Sequence, residues 1–189
     1  SYRITFTTKV IAALTTALTL WSTLHLFILE PSLQQLPFGE RLLAAWFQSM
    51  SAITTVGFNT TDTTNLTNVT TAVLAFSMYI GASPSSTGGS LKSTTLSALF
   101  AYTKNKLGLR RDITLAGNKV PLYRVDAALT TFVFYSLILI TGVYLMVIFE
   151  RDGATFMQLV FEATSALATA GLSTGILPAM TIGSKLVLI

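Results

Sequence analysis

Residues 47 to 60 read Phe-Gln-Ser-Met-Ser-Ala-Ile-Thr-Thr-Val-Gly-Phe-Asn-Thr, and residues 161 to 174 read Phe-Glu-Ala-Thr-Ser-Ala-Leu-Ala-Thr-Ala-Gly-Leu-Ser-Thr. Laid over each other without a gap, they agree at six of fourteen positions: Phe47/Phe161, Ser51/Ser165, Ala52/Ala166, Thr55/Thr169, Gly57/Gly171 and Thr60/Thr174. The match extends upstream, where Phe27-Ile28-Leu29-Glu30 corresponds to Val147-Ile148-Phe149-Glu150. An internal repeat governs how the rest of the chain is read, because each copy is one structural unit.

Each copy begins with a long apolar segment. Residues 10 to 29 and 127 to 149 contain no charge and end at Glu30-Pro31 and Glu150. Both are long enough for a helix to cross about 30 Å of hydrocarbon. The duplicated stretches themselves lie on shorter apolar segments, residues 42 to 54 and 154 to 168. At 1.5 Å per residue such a helix is about 20 Å long and reaches only partway through the bilayer. It must re-enter rather than cross. Non-helical backbone at membrane depth is tolerated only inside protein or along a water-filled cavity, so the glycine stretch after each short helix is expected to face a pore.

The fold class expected is an all-α membrane protein of two parallel helix–pore-loop–helix repeats, the second incomplete. The first repeat is placed at residues 1 to 103, with an outer helix at 4 to 30, a pore helix at 40 to 53, a filter at 54 to 59 and a broken inner helix at 67 to 103. A basic linker follows at 104 to 120. The second repeat occupies 121 to 189, with an outer helix at 121 to 150, a pore helix at 153 to 167, a filter at 168 to 173 and the start of an inner helix at 180 to 189.

Composition supports the membrane reading. Of 189 residues 51% are hydrophobic and only 11% charged, the mean hydropathy is +0.64, and there is no cysteine. A soluble domain carries about 25% charged residues. Disorder, disulfide frameworks and thiolate metal sites are excluded by the same figures. The net charge is +4, and six of the twelve basic residues, Lys104, Lys106, Arg110, Arg111, Lys119 and Arg124, form one cluster between apolar segments. A cluster so placed reads as a cytoplasmic loop that sets orientation rather than a nucleic-acid surface. With Glu30, Glu40, Asp62, Glu150 and Asp152 on the loops that carry the glycine stretches, those stretches open to the outside. The Asn-x-Thr sequons at Asn59, Asn65 and Asn68 carry no weight in so threonine-rich a stretch.

Thr55-Val56-Gly57-Phe58 is the most informative tetrapeptide. A cation leaving water needs its hydration shell replaced, and potassium channels do this with backbone carbonyls of a Thr-Val-Gly-Tyr-Gly loop. Glycine is required where successive carbonyls turn toward one axis, because a Cβ makes those backbone angles costly. A helix ending at the pore also directs its negative pole at the cation. Thr-x-Gly alone is a weak pattern; occurring twice, at matching positions after half-spanning helices, it gains weight. Asp62 and Glu162 read as a solvated loop acid and a helix-end acid, with added negative potential near the mouth as the other role open to each.

The break at Gly81-Ala82-Ser83-Pro84-Ser85-Ser86-Thr87-Gly88-Gly89-Ser90, inside residues 69 to 100, cannot be a lipid-facing helix and should line a cavity. Lys92 follows it, at a depth where charge is costly and commonly functional. Gly88 to Ser93 lacks the spacing of a phosphate-binding loop, and His25 stands near the outer end of a span with no nucleophile elbow to partner it. An enzyme is not expected. The rival is a secondary transporter with a midplane substrate site, a class that commonly uses inverted rather than parallel repeats.

Residues 47 to 62, 78 to 95 and 161 to 178 together resemble the third and fourth repeats of the potassium-translocating subunits of the Trk/Ktr/HKT superfamily, and Met-Tyr-Ile-Gly-Ala-Ser-Pro-Ser-Ser-Thr-Gly-Gly-Ser-Leu-Lys, beginning at Met78, is the most specific part. The resemblance implies potassium uptake across a cell membrane through one pore surrounded by four repeats, each contributing a single-glycine filter loop. By position, Thr54, Thr55, Val56, Gly57 and Phe58 form one filter wall and Ala168, Thr169, Ala170, Gly171 and Leu172 another, with K⁺ at the carbonyls of Thr55, Val56, Thr169 and Ala170. It implies a gating loop at Gly81, Ser85, Ser86, Thr87, Gly88 and Gly89, with Lys92 beside it. No cofactor is expected beyond the transported ion. Expected partners are membrane lipid, the remaining repeats of the same polypeptide, a second copy in a homodimer and, by resemblance, a cytosolic nucleotide-binding regulatory subunit. Two walls do not enclose an ion, so the chain is expected to be about half of a four-repeat pore.

Overall fold

The computed structural model describes residues 6 to 61, 63 to 81, 88 to 108, 113 to 115, 118 to 150 and 153 to 189. Among the described residues the regular structure is helical apart from one hairpin of two-residue strands. Helix α1 runs over Phe6–Leu29 and ends where Pro31, which has no N–H to continue the ladder, starts the single turn α2, Pro31–Gln34. Helix α3, Phe38–Thr54, follows and folds back on α1, with Thr19 Oγ1 donating to Met50 Sδ at 3.6 Å. Helix α4, Asn68–Ile80, and helix α5, Ser93–Leu107, lie on either side of the glycine-serine break.

Strands β1, Thr114–Leu115, and β2, Asn118–Lys119, pair antiparallel and are pinned to α5 by the buried Asn105, whose Nδ2 donates to the Ala101 and Thr114 carbonyls at 2.7 Å each. The basic segment thus has built structure: α5 continues to Leu107 and the hairpin closes on it. Helix α6, Leu122–Phe149, leads to helix α7, Phe156–Leu167, a 3₁₀ turn at Leu177–Ala179 and the short helix α8, Ile182–Val187. Among the described residues two helices, Thr8–Leu29 and Leu122–Phe149, are long and apolar enough to cross a membrane, while Asn68–Ile80 and Phe156–Leu167 are apolar but shorter.

The main core joins the two copies. Leu26 of α1, Ala45 and Ala52 of α3, and Val73, Leu74 and Met78 of α4 pack with Phe161 of α7 and with Ala168, Ala170 and Leu172 beyond it. A second cluster, Met146, Leu159, Ala163 and Met180, belongs to α6, α7 and the segment before α8. By contrast, much of α6 leaves large apolar side chains exposed, among them Phe134, Ile138, Ile140 and Tyr144. In water that face would be unfavourable; in lipid it needs no partner.

One connection recurs in both copies. Glu30, after α1, accepts from the Thr67 N–H and hydroxyl at 3.3 and 3.1 Å, and Thr67 caps α4 by accepting from Thr70 N–H. Glu150, after α6, accepts from the Thr181 N–H, and Thr181 caps α8 by accepting from Ser184 N–H. Each acid therefore ties the end of a long helix, α1 or α6, to the first turn of a later one, α4 or α8. Both are buried. The Thr181 amide, before all other influences, holds the Glu150 carboxyl below its usual range.

Candidate functional site

The two duplicated stretches end their helices in the same way. In the first, Thr55 N–H donates to the Ala52 carbonyl at 3.3 Å and Val56 N–H to the Ser51 carbonyl at 3.1 Å; in the second, Thr169 N–H reaches Ala166 at 3.0 Å and Ala170 N–H reaches Ser165 at 2.8 Å. This paired closure is the Schellman arrangement, which usually places glycine at its left-handed residue. Here that residue is threonine, at φ 55° for Thr55 and 54° for Thr169, and these are the only non-glycine residues at positive φ among those described. A β-branched residue in this conformation carries strain of roughly 1–2 kcal/mol. Twice retaining threonine against that cost fits a need for its hydroxyl.

Two residues on, Gly57 and Gly171 take φ 83° and 76°. Their positions differ in crowding. A Cβ on Gly57 would collide with the Ala170 carbonyl oxygen and approach Gly171 Cα at 3.3 Å, whereas a Cβ on Gly171 would meet only Gly57 Cα at 3.8 Å. The two glycine stretches therefore lie in backbone contact, and the absent side chain at Gly57 makes that contact possible. A serine one helical turn back braces each stretch: Ser51 Oγ donates to the Phe58 carbonyl at 2.6 Å and Ser165 Oγ to the Leu172 carbonyl at 2.5 Å.

Behind the stretches the copies diverge. Gln48 is fully buried and donates through Nε2 to Asn59 Oδ1 at 3.1 Å. At the matching position Glu162, 3% exposed, accepts at Oε1 from Ser173 Oγ, Thr174 N–H and Thr174 Oγ1 at 2.9, 2.7 and 2.8 Å. Glu162 lies in the middle of α7, not at its end, which corrects the reading of it as a helix-end acid. Thr63 Oγ1 of the first copy donates to the Ser173 carbonyl at 2.5 Å, joining the two outer loops.

The described flanks of the glycine-serine break meet the same region. Gly81 packs so closely on the end of α3 that a Cβ there would overlap the Ile53 carbonyl oxygen. On the far flank, Gly89 N–H is shared between the Ala168 carbonyl at 2.9 Å and Thr169 Oγ1 at 3.0 Å. Leu91 N–H donates to the Tyr79 carbonyl at 2.9 Å and closes the neck, and Lys92 Nζ donates to the Gly88 carbonyl at 2.8 Å. Ser85, Ser86 and Thr87, expected in the gating loop, lie outside the described residues, as does Asp62.

Of the residues singled out from sequence, the fold thus brings Gly57 against Ala170 and Gly171 and Gly89 against Ala168 and Thr169, with Lys92 bonded to the neighbouring Gly88. Sequence reading missed the roles of Ser51, Ser165 and the pair Gln48 and Glu162. Their signal was available: both serines are identities of the repeat, and Gln48 and Glu162 are its one glutamine-to-glutamate substitution.

The TrkH model, described as a cation transport protein, matches residues 2–189. The chain is 32% identical over 186 residues to Ktr system potassium uptake protein B of Vibrio alginolyticus, covering 96% of this chain and 40% of that protein. It is 33% identical over 193 residues to the protein of the same name from Bacillus subtilis, covering 96% of this chain and 41% of that one. The chain spans about two-fifths of the length of both relatives. The crystal structure of the potassium transporter TrkH from Vibrio parahaemolyticus shares its fold, with a TM-score of 0.74 at 23% identity over 96% of this chain and 40% of that one. On the family match along nearly its whole length, the chain belongs to the TrkH family of cation transport proteins.

Proposed function

We infer that the chain supplies two walls of a pore through which potassium crosses the cell membrane, dehydrated at the carbonyls of Thr55, Val56, Thr169 and Ala170. The observation that carries this reading is the pair of left-handed Thr-x-Gly turns, each closing a half-spanning helix, in backbone contact at Gly57. A filter of carbonyls needs backbone held in conformations that side chains resist, and needs it held rigidly; the serine braces and the Schellman closures supply both. No carboxylate has to reach the ion, and among the described residues no group of three or more His, Asp or Glu side chains could hold a metal.

The division into two parallel repeats follows the doubled Glu-to-Thr connection and the doubled turn. Two further repeats of the same polypeptide complete the ring. In the second wall Ala170 and Leu172 are buried in the core with Leu74 and Met78 of the first copy's α4, while their counterparts Val56 and Phe58 are exposed. An equivalent helix from another repeat would cover Val56 and Phe58 in the same manner. The segment 81 to 90, clasped at its neck and bonded to the base of the second wall, is the gate. The exposed apolar face of α6 meets lipid, and the basic hairpin region faces the cytoplasm, where it meets a regulatory nucleotide-binding subunit or anionic lipid.

Replacing Gly57 by serine in the full-length protein, and measuring Rb⁺ against Na⁺ uptake in cells lacking other potassium uptake, tests the filter. Discrimination is expected to fall at least tenfold. Unchanged discrimination would remove the filter assignment.

A further inference from the structure

We propose that Glu162 sets the cation affinity of the proposed pore, acting through its charge on an ion held at the second wall rather than merely as a brace. This rests on the filter reading above and adds to it a fixed anion, which neither the Thr-x-Gly pattern nor the carbonyls supply.

Glu162 is 3% exposed, on α7, one turn before Ser165, whose hydroxyl holds the Leu172 carbonyl. Three donors converge on its Oε1: Ser173 Oγ, Thr174 N–H and Thr174 Oγ1. The Thr174 N–H and two hydroxyls converge on that oxygen, a set of partners from which a carboxylate can accept. A buried charge is retained where hydrogen bonds or an opposite charge compensate its lost hydration. The hydrogen bonds here supply part of that compensation. A dehydrated cation at the adjoining wall supplies the rest: Thr174 is three residues beyond Gly171, a reach of at most about 10 Å of chain. Across water-poor protein a unit charge behind the wall acts on an ion several times more strongly than it would through water.

The matched position shows that the fold does not demand the charge for bracing. Gln48 is equally buried, meets Asn59 with a neutral amide, and stands behind a turn of the same geometry, with its own serine brace in place. One wall therefore has a neutral backing and the other an anionic one. A ring with unequal walls would hold the cation nearer the second, which is also the wall bonded to the gate through Gly89.

The experiment separates charge from bracing in the full-length protein, with Rb⁺ uptake as readout. Glu162→Gln keeps the shape and an acceptor oxygen but removes the charge; it is expected to raise KM for Rb⁺ at least fivefold with Vmax within about twofold. Glu162→Asp keeps the charge on a shorter arm, and Thr174→Val keeps it while removing one donor; both are expected to leave KM within about twofold. An unchanged KM in Glu162→Gln, or a fivefold rise in either charge-retaining variant, overturns the proposal. Should Glu162→Gln not accumulate, the two charge-retaining variants decide by the same criterion. Gly57→Ser measured alongside distinguishes the failures: lost Rb⁺ over Na⁺ discrimination there with an unaffected Glu162→Gln leaves the filter standing and removes only the role of Glu162.

Discussion

The two glycine stretches share a backbone and differ in what lies around it. Val56 and Phe58 are 56% and 67% exposed, while Ala170 and Leu172, at the same steps of the same turn, are 2% and 1% exposed. Gln48 backs the first stretch and Glu162 the second. The common part is set by local hydrogen bonding, since Schellman closures and serine braces involve residues within seven positions of one another. The different part is set by neighbours distant in sequence: the second stretch leans on α4 of the first copy. Repetition in a chain thus preserves the turn and allows its surroundings to specialise.

The largest effect expected from breaking this comparison comes at the glycines. Gly57→Ala forces a Cβ into the Ala170 carbonyl and also carries the left-handed penalty of about 1–2 kcal/mol, whereas Gly171→Ala, with room to 3.8 Å, carries the penalty alone. Thermal unfolding of the full-length protein should show Gly57→Ala as the more destabilising by at least about 1 kcal/mol. Equal losses would mean that the two stretches are not in contact.

The serine braces come next. Ser165→Ala leaves the buried Leu172 carbonyl without its donor and should cost about 1–3 kcal/mol; Ser51→Ala, whose bond is only partly buried, should cost about 1 kcal/mol. A larger loss at Ser51 would reverse the order of burial inferred for the two walls. Thr55→Gly and Thr169→Gly sharpen the comparison in the opposite direction. Each relieves a strained φ and should stabilise by about 1 kcal/mol, with reduced Rb⁺ over Na⁺ discrimination as the cost of losing the hydroxyl. Thr169→Gly should also loosen the break, because Thr169 Oγ1 accepts from Gly89 N–H.

The smallest effect concerns pH. The Thr181 amide lowers the Glu150 carboxyl below its ordinary value, so the ionised form favours the folded state. That contribution is complete above the ordinary glutamate value of about 4.3 and is lost as pH falls through the lower folded value. Glu150→Gln should therefore flatten the acid limb of the stability profile by lowering stability at neutral pH while leaving it nearly unchanged at acid pH, as read from thermal unfolding across pH. A steeper acid limb in the variant would contradict the sign.

Much of this was legible in residue order. The duplication at residues 47 to 60 and 161 to 174 located both turns, the helices before them and the glycine two residues after each left-handed threonine, because bonds between near neighbours close each turn. Glu30 and Glu150 were visible as the ends of outer helices, but not as ties to Thr67 and Thr181, since nothing local links residues about thirty or more positions apart. The extent of α5 and the hairpin was hidden for a similar reason: Asn105 and Thr114 read as polar linker residues until their mutual hydrogen bonds are seen.

The sequence by itself determined the medium, the repeat and the two turns. Hydrophobicity without charge needs lipid, and a Schellman turn is closed by bonds between near neighbours. Only the tertiary structure decided that Gly57 rests on Ala170, that Gly81 and Gly89 flank the break against different turns, and that Glu162 is buried among three donors. These are close approaches between segments far apart in the chain. Such contacts depend on which side chains are absent or buried once the helices have packed, and no periodicity along the chain records them.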